Sequence, residues 1–296
     1  MLHSPNYTIR KLLLIVALAA FATPALGQST AIQPCDATPS PGKPATAATA
    51  PVKTGVRASE TVIDAKIPDD PDVIKMLAPY SAKVTALSAV IGRLEQTIKK
   101  ETVGGGSLGN FVTTGLGSYA KTKLGRPITL TIMNSGGLRK NEITAGELRA
   151  SDIFELLPFE NALVAVDLTG ADLLKVLPAT VRDSQMGARI QFKWNDQNRP
   201  EFISAKLIDE NGQEQEIDPN KTYTIVTIDY LMKVSGGAYA VLHEGKNITP
   251  LGITLRDAMM EYVKSETAAG RAIRPQVDNR YVQVGPGPKA ATEEPQ

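Results

Sequence analysis

Apolar residues at Val73, Leu77, Tyr80, Val84, Leu87, Ile91, Leu94 and Ile98 recur at alternating steps of four and three, the stripe of one long amphipathic helix. Pro79 is placed to kink it. The spacing would also suit a helix partner, but the reading favoured is that the stripe docks on its own domain. Six beta-branched or alternating runs follow: Ile128 to Met133, Leu163 to Leu168, Arg189 to Trp194, Phe202 to Ile208, Tyr223 to Ile228 and Tyr281 to Val284. Helices are expected over Glu147 to Leu156 and Gly170 to Leu177, and again where Leu255, Met259, Tyr262 and Val263 share a face. Asp209-Glu-Asn-Gly212 reads as a hairpin turn, and Thr169-Gly170 as a turn between elements. Strands and helices mix without regular alternation. The expected fold is therefore α+β: one domain, a mixed sheet and packed helices.

The flanks have a different composition. Arg10-Lys11 precede the apolar run Leu12 to Phe21, and small residues up to Gly27 offer a cleavage site, so residues 1–27 are expected to be a signal peptide and the protein to be exported. That run is too short to span a bilayer, and no other segment reaches the roughly 20 apolar residues a spanning helix requires. Cys35 follows Ile-Gln-Pro rather than small residues, which argues against a lipoprotein site. Pro34, Pro39, Pro41, Pro44 and Pro51 stand among Ala, Thr, Ser and Lys, a tether that cannot bury enough apolar surface to fold. The expected organisation is a linker over 28–65, a folded domain over 66–284 and a disordered tail over 285–296. Loss of the signal removes Arg10 and Lys11 and no acid, so the formal charge moves from +1 to −1. No basic field for a nucleic acid polymer or a membrane surface results. A single cysteine leaves no internal disulfide, so a core must supply the stability.

Candidate chemistry concentrates in Asn134-Ser-Gly-Gly-Leu-Arg139 and in GELRASDIFELLPFEN, from Gly146 to Asn161. An Asn, two glycines, an Arg and an aromatic on one strand-loop-helix unit suit a small anionic ligand with a planar ring. Glycine lets the backbone approach closely, and Arg gives planar, charge-assisted hydrogen bonds. Gly104-Gly-Gly-Ser-Leu-Gly109 is expected to be a loop before a helix over Phe111 to Lys121; it lacks the Lys-Ser/Thr ending of a phosphate-binding loop. Asp69-Asp70 read as helix N-terminal charges. His243 is the one histidine outside the leader and receives no role, and no serine has visible His-Asp support.

Gly109-Asn110, NSGGLR, Ile143-Thr-Ala-Gly146, Leu157-Pro-Phe159 with Asn161, Leu168-Thr-Gly170, Tyr230-Leu231, Gly236-Gly237 and Asp278-Asn-Arg280 occur in an order that resembles the C-terminal, substrate-binding domain of the 5'-nucleotidases. That family includes UDP-sugar hydrolases and cyclic-nucleotide phosphodiesterases. The resemblance runs from about residue 70 to 284. It implies a domain that clamps a nucleotide or nucleotide-sugar: Arg139 at the phosphate end, Asn134 on base or ribose, and Phe159 and Tyr230 around the base, with Gly136 and Gly137 admitting the ligand. It also implies that a separate metallophosphoesterase domain carries two divalent metal ions and cuts the ester. This chain has neither the ligand set for two metals nor, in the tether, room for a second domain upstream, so it is expected to hold no metal itself. A separately encoded metallophosphoesterase is the implied partner. The alternative is a non-catalytic exported module for ligand or protein binding that keeps only the fold.

Three departures stand out. Gly236-Gly237-Ala238-Tyr239 replaces the family's Gly-Gly-Asp-Gly-aromatic, whose Asp holds the ribose. Thr113-Thr114-Gly115 occupies the place of an Asp-Ala pair, and Lys99 and Lys100 stand near where an Arg is expected. Lysine, a mobile point charge, does not replace a bidentate Arg cleanly.

Overall fold

A computed structural model describes residues 60, 62, 64, 66–209, 211–274 and 279–289. The expected signal peptide and nearly all of the expected tether lie outside the described residues. The described residues from Lys66 onward belong to one compact unit.

The first helix, α1 (Pro71–Leu87), starts where Asp70 accepts the amides of Asp72 and Val73 and Pro71 takes the first turn. It ends at Leu87 and does not run on to Ile98. The rest of the stripe lies on two strands, β1 (Val90–Leu94) and β2 (Ile98–Lys99). Steps of three and four across Ser88, Ala89 and Gly92 imitate a helix, but the chain extends there because Gly92 lies against α6 (Leu255–Ala268). A Cβ on Gly92 would meet Val263 at 2.6 Å. Only the later part of the stripe docks: Ile91, Leu94 and Ile98 are buried and Leu87 packs against the core, whereas no residue of α1 is buried and Val73, Leu77, Tyr80 and Val84 stay about half exposed or more.

Helix α2 (Gly106–Leu124) begins within the glycine run, so Gly109 is helical and not part of a loop. Gly104, Gly105 and Gly106 all take positive φ, and a Cβ on Gly109 would meet the Gly104 carbonyl and the Ser184 hydroxyl at 2.3 Å. The chain continues through β3 (Leu130–Met133), β4 (Glu142–Ile143), β5 (Gly146–Arg149) and α3 (Ala150–Leu156). The expected helix over 147–156 is therefore strand in its first three residues: β5 pairs with β1, and the helix starts only after Arg149, whose amide the Asp152 carboxylate accepts. Next come β6 (Ala162–Thr169), α4 (Gly170–Val176), β7 (Ser184–Met186), β8 (Ala188–Trp194), β9 (Pro200–Ile208) and β10 (Glu214–Gln215). They are followed by β11 (Thr222–Ile228), α5 (Asp229–Met232), β12 (Lys246–Thr254), the helix α6 and β13 (Tyr281–Gln283).

A five-stranded sheet of order β12-β6-β11-β3-β7 forms the centre. β11 runs parallel to β3 and antiparallel to β6, so the sheet is mixed. β6 is buried from Leu163 to Leu168, which means both faces of the sheet are covered. A second sheet, β10-β9-β8-β13, follows directly from it at Gly187, between β7 and β8. Gly187 has φ +112°, and a Cβ there would meet the Thr129 carbonyl oxygen at 2.1 Å, so the position has no space for a side chain. The tail is partly held: the Lys289 amide donates to Asn198 at 2.7 Å, and Lys289 Nζ reaches Asp196.

Candidate functional site

The sheet register brings the candidate residues to one end. β3 ends at Met133 and β11 at Ile228, in parallel, while β6 begins there at Ala162. β7 begins there opposite Met133, and β12 ends there opposite Ala162. Asn134, Tyr230, Phe159 and Asp183 thus leave or enter adjacent strands at a single edge.

Asn134 leaves β3 in extended conformation, and Ser135–Gly137 make one 3-10 turn. The Gly137 amide donates to the Asn134 carbonyl at 3.0 Å. The Asn134 side-chain oxygen is buried with no hydrogen-bond partner, a cost unless a donor arrives. Gly136 is exposed and Gly137 buried. The Arg139 amide donates to the Leu156 carbonyl at 2.9 Å, which ties the turn to the end of α3. The Arg139 guanidinium lies over the Phe159 ring, 5.9 Å from its centroid, and reaches back to the Gly136 carbonyl at 3.4 Å. Phe159 is 46% exposed and Tyr230 54%, and neither ring packs on another aromatic among the described residues.

Beside the turn a cleft of about 670 Å³ opens, lined by Lys100, Glu101, Ser135, Gly136, Arg182 and Asp183. Lys100 Nζ donates to the Leu138 carbonyl at 2.9 Å, whereas Lys99 pairs loosely with Glu142 at 3.7 Å. Of the two lysines, Lys100 therefore joins the turn. A second cleft, about 650 Å³ between α2 and α6, carries Arg271 and Arg274, but Glu266 and Glu95 already hold them.

Asp183 escaped sequence reasoning. Its carboxylate accepts the Ser135 amide and the Tyr239 hydroxyl, each at 2.8 Å, and so ties the turn to the 3-10 segment Gly237–Glu244. Burial raises its pKa, against the opposing pull of those two donors and of Arg182. Burial, then the charge of Asp183, push the Tyr239 hydroxyl far up, so it remains a donor. The aromatic of the Gly-Gly-Ala-Tyr motif is therefore turned inward and braces Asp183. No local signal pointed to Asp183, because its partners lie 48 and 56 residues away. The Thr113-Thr114 departure also has a structural account: both hydroxyls accept from the buried Arg280, at 3.1 and 3.3 Å, and Arg280 donates on to the Gln185 carbonyl.

Asp183 is taken up as above, and Asp229 accepts the Ala162 amide and pairs with Lys233. Among the described residues no three His, Cys, Asp or Glu side chains group to hold an ion.

The family described as 5'-nucleotidase, C-terminal domain, matches residues 84–244. The trifunctional nucleotide phosphoesterase protein YfkN of Bacillus subtilis (strain 168) is 27% identical over 205 residues, 66% of this chain and 13% of that protein. The cell wall protein Lmo0130 of Listeria monocytogenes is 27% identical over 191 residues, covering 59% and 23%. Protein UshA of Yersinia enterocolitica is 24% identical over 215 residues, covering 68% and 36%. The fold matches the 5'-nucleotidase precursor of Thermus thermophilus with a TM-score of 0.59 at 23% identity, over 74% of this chain and 44% of that one. It also matches the NAD nucleotidase of Haemophilus influenzae, with a TM-score of 0.55 at 18% identity over 72% and 41%. The chain spans less than half the length of each of these proteins.

Proposed function

This chain belongs to the 5'-nucleotidase C-terminal domain family, and from that premise we propose that it is the nucleotide-recognition half of a 5'-nucleotidase-type phosphoester hydrolase. The observation that carries this reading is the position of Arg139 over Phe159 at the sheet end where Tyr230 also stands exposed. Two uncovered rings at one sheet end suit a base, which stacks on an aromatic face for about 1–3 kcal/mol. Arg139, Lys100 and Arg182 are cations within the same region, suited to phosphate. Hydrolysis would need two divalent metal ions brought by a separately encoded metallophosphoesterase. The leader-like first 27 residues favour a location outside the cytoplasm for both partners, periplasmic or secreted, and one relative is named a cell wall protein. No helix among the described residues is long and apolar enough to cross a membrane.

The test is calorimetric titration with AMP, UMP, UDP-glucose and inorganic phosphate. Base-dependent binding, weakened by both Phe159→Ala and Arg139→Ala, is the expected outcome. Identical responses to AMP and phosphate, or no binding at millimolar ligand, would overturn it. The uncovered apolar face of α1 favours a second reading, a non-catalytic exported module for ligand or protein interaction. In that case Leu77→Glu would abolish partner capture while the clefts bound no nucleotide.

A further inference from the structure

Phe159 sits on a five-residue connection, 157–161, between α3 and β6, and its ring is too exposed for packing to hold it. The connection is anchored at its start by the buried Leu157, and around Phe159 it is gripped by one side chain from a distant helix. Arg256, the second residue of α6, is 8% exposed. Its Nη1 donates to the Pro158 carbonyl at 3.4 Å, and its Nη2 pairs with the Glu160 carboxylate. Its guanidinium lies 4.3 Å over the ring of Phe154, on α3. The residues on both sides of Phe159 are thus gripped by one planar cation. The neighbouring Leu255 amide closes the connection on the Asn161 carbonyl at 2.8 Å.

Glu160 is 73% exposed at its side chain, so this pair adds little as a surface ion pair. A buried guanidinium is nonetheless costly to place, and here its Nε has no partner. If the fold only needed to fill this space, a Met or Leu would do so without desolvating a charge. The planar fork accomplishes what an apolar residue cannot: it spans a carbonyl, a carboxylate and a ring at once, and fixes the backbone on either side of Phe159.

We propose that Arg256 is the positioning residue for the aromatic platform, setting Phe159 in place for a planar ligand from the far side of the connection. The proposal rests on the nucleotide-recognition reading for its ligand and on geometry alone for its mechanical part.

Two measurements test it. In the first, Phe159→Trp in a Trp194→Phe background places a single indole on the connection, and time-resolved anisotropy reads its motion. Arg256→Met should free the indole, and Arg256→Lys should restrain it only in part; unchanged motion in Arg256→Met overturns the proposal whether or not any nucleotide binds. In the second, the full chain is titrated with AMP and with ribose 5-phosphate. Arg256→Met should weaken AMP about three- to tenfold, a share of what base stacking contributes. Ribose 5-phosphate affinity should not change, and a Phe159→Ala background should abolish the effect of Arg256→Met. Equal loss for both ligands, or losses that add across the double variant, would mean a general structural role and overturn the proposal. If the unaltered protein binds no AMP, the recognition reading fails by itself, and the indole motion still decides the mechanical part. Should Arg256→Met fail to fold, Glu160→Ala removes one grip from the exposed side and carries the same two measurements.

Discussion

The two ends of the central sheet use the same strands in opposite ways. At the far end Asp167 is buried on β6 and accepts from Thr224 on β11 at 2.8 Å, from Asn247 on β12 at 2.9 Å, and from Arg126 ahead of β3 at 3.5 Å. At the near end the Asn134 oxygen is buried without a donor, and Phe159 and Tyr230 turn large apolar rings outward. Burial raises the pKa of the Asp183 carboxyl there, against the pull of its donors. One end satisfies its polar groups internally, as a folded protein ordinarily does. The other leaves an acceptor unsupplied and apolar surface uncovered, a local cost that the rest of the fold offsets and that a ligand would relieve. The contrast points to the near end as the functional side of the molecule without reference to any motif.

The largest expected effect lies at the far end. Asp167→Ala strips the acceptor from three donors and should cost about 3 kcal/mol in urea unfolding. Nucleotide titration of the same variant should show unaltered affinity. A loss of affinity equal to the loss of stability would erase the distinction between the ends. At the near end the pattern should invert. Phe159→Ala or Tyr230→Ala removes an exposed ring, so unfolding should shift by no more than about 0.5 kcal/mol, while AMP affinity falls by about 1–3 kcal/mol. A strong destabilisation with unchanged binding would make these rings packing elements after all.

How much of this could be read from sequence follows from how local each cause is. The runs at Leu163–Leu168, Arg189–Trp194 and Tyr223–Ile228 are strands, and the stripe through Leu255, Met259 and Val263 is a helix, because burial on a sheet or a helix face writes its own period into neighbouring residues. The stripe from Val73 to Ile98 misled because spacing alone cannot distinguish one long helix from a helix followed by two strands; the deciding contact, between Gly92 and Val263, reaches far along the chain. The near end was half legible. NSGGLR and LPFEN are short, contiguous motifs, so Arg139 and Phe159 could be singled out from them. Asp183 and Arg256 act through partners 48 and 98 residues away, and an isolated Asp or Arg in the sequence carries no trace of that.

The smallest expected effect is also the sharpest test of the comparison, because the two aspartates should respond to pH with opposite sign. Burial opposes the charge on Asp167, but the hydrogen bonds from Asn247 and Thr224 and the nearby Arg126 outweigh it and hold its carboxyl below the usual range. Its stabilisation is therefore present above the unfolded-state value of about 3.9 and is lost as pH falls through the lower, folded value. For Asp183 desolvation wins, so the folded state resists ionisation longer than the unfolded chain. Its contribution is complete below pH of about 3.9 and is lost as pH rises through the higher, folded value. Urea unfolding of the unaltered protein, Asp167→Asn and Asp183→Asn across this window separates the two. The stability gap to Asp167→Asn should widen as pH rises toward about 4, and the gap to Asp183→Asn should narrow just above it. An amide oxygen at 183 still accepts the Ser135 amide, and the lost acceptor for the Tyr239 hydroxyl adds a cost that does not vary with pH here, so the slope of the gap reports the charge. Gaps of the same slope would mean that the near end is as fully satisfied as the far end, and that the cleft beside Ser135 is no more than a surface irregularity.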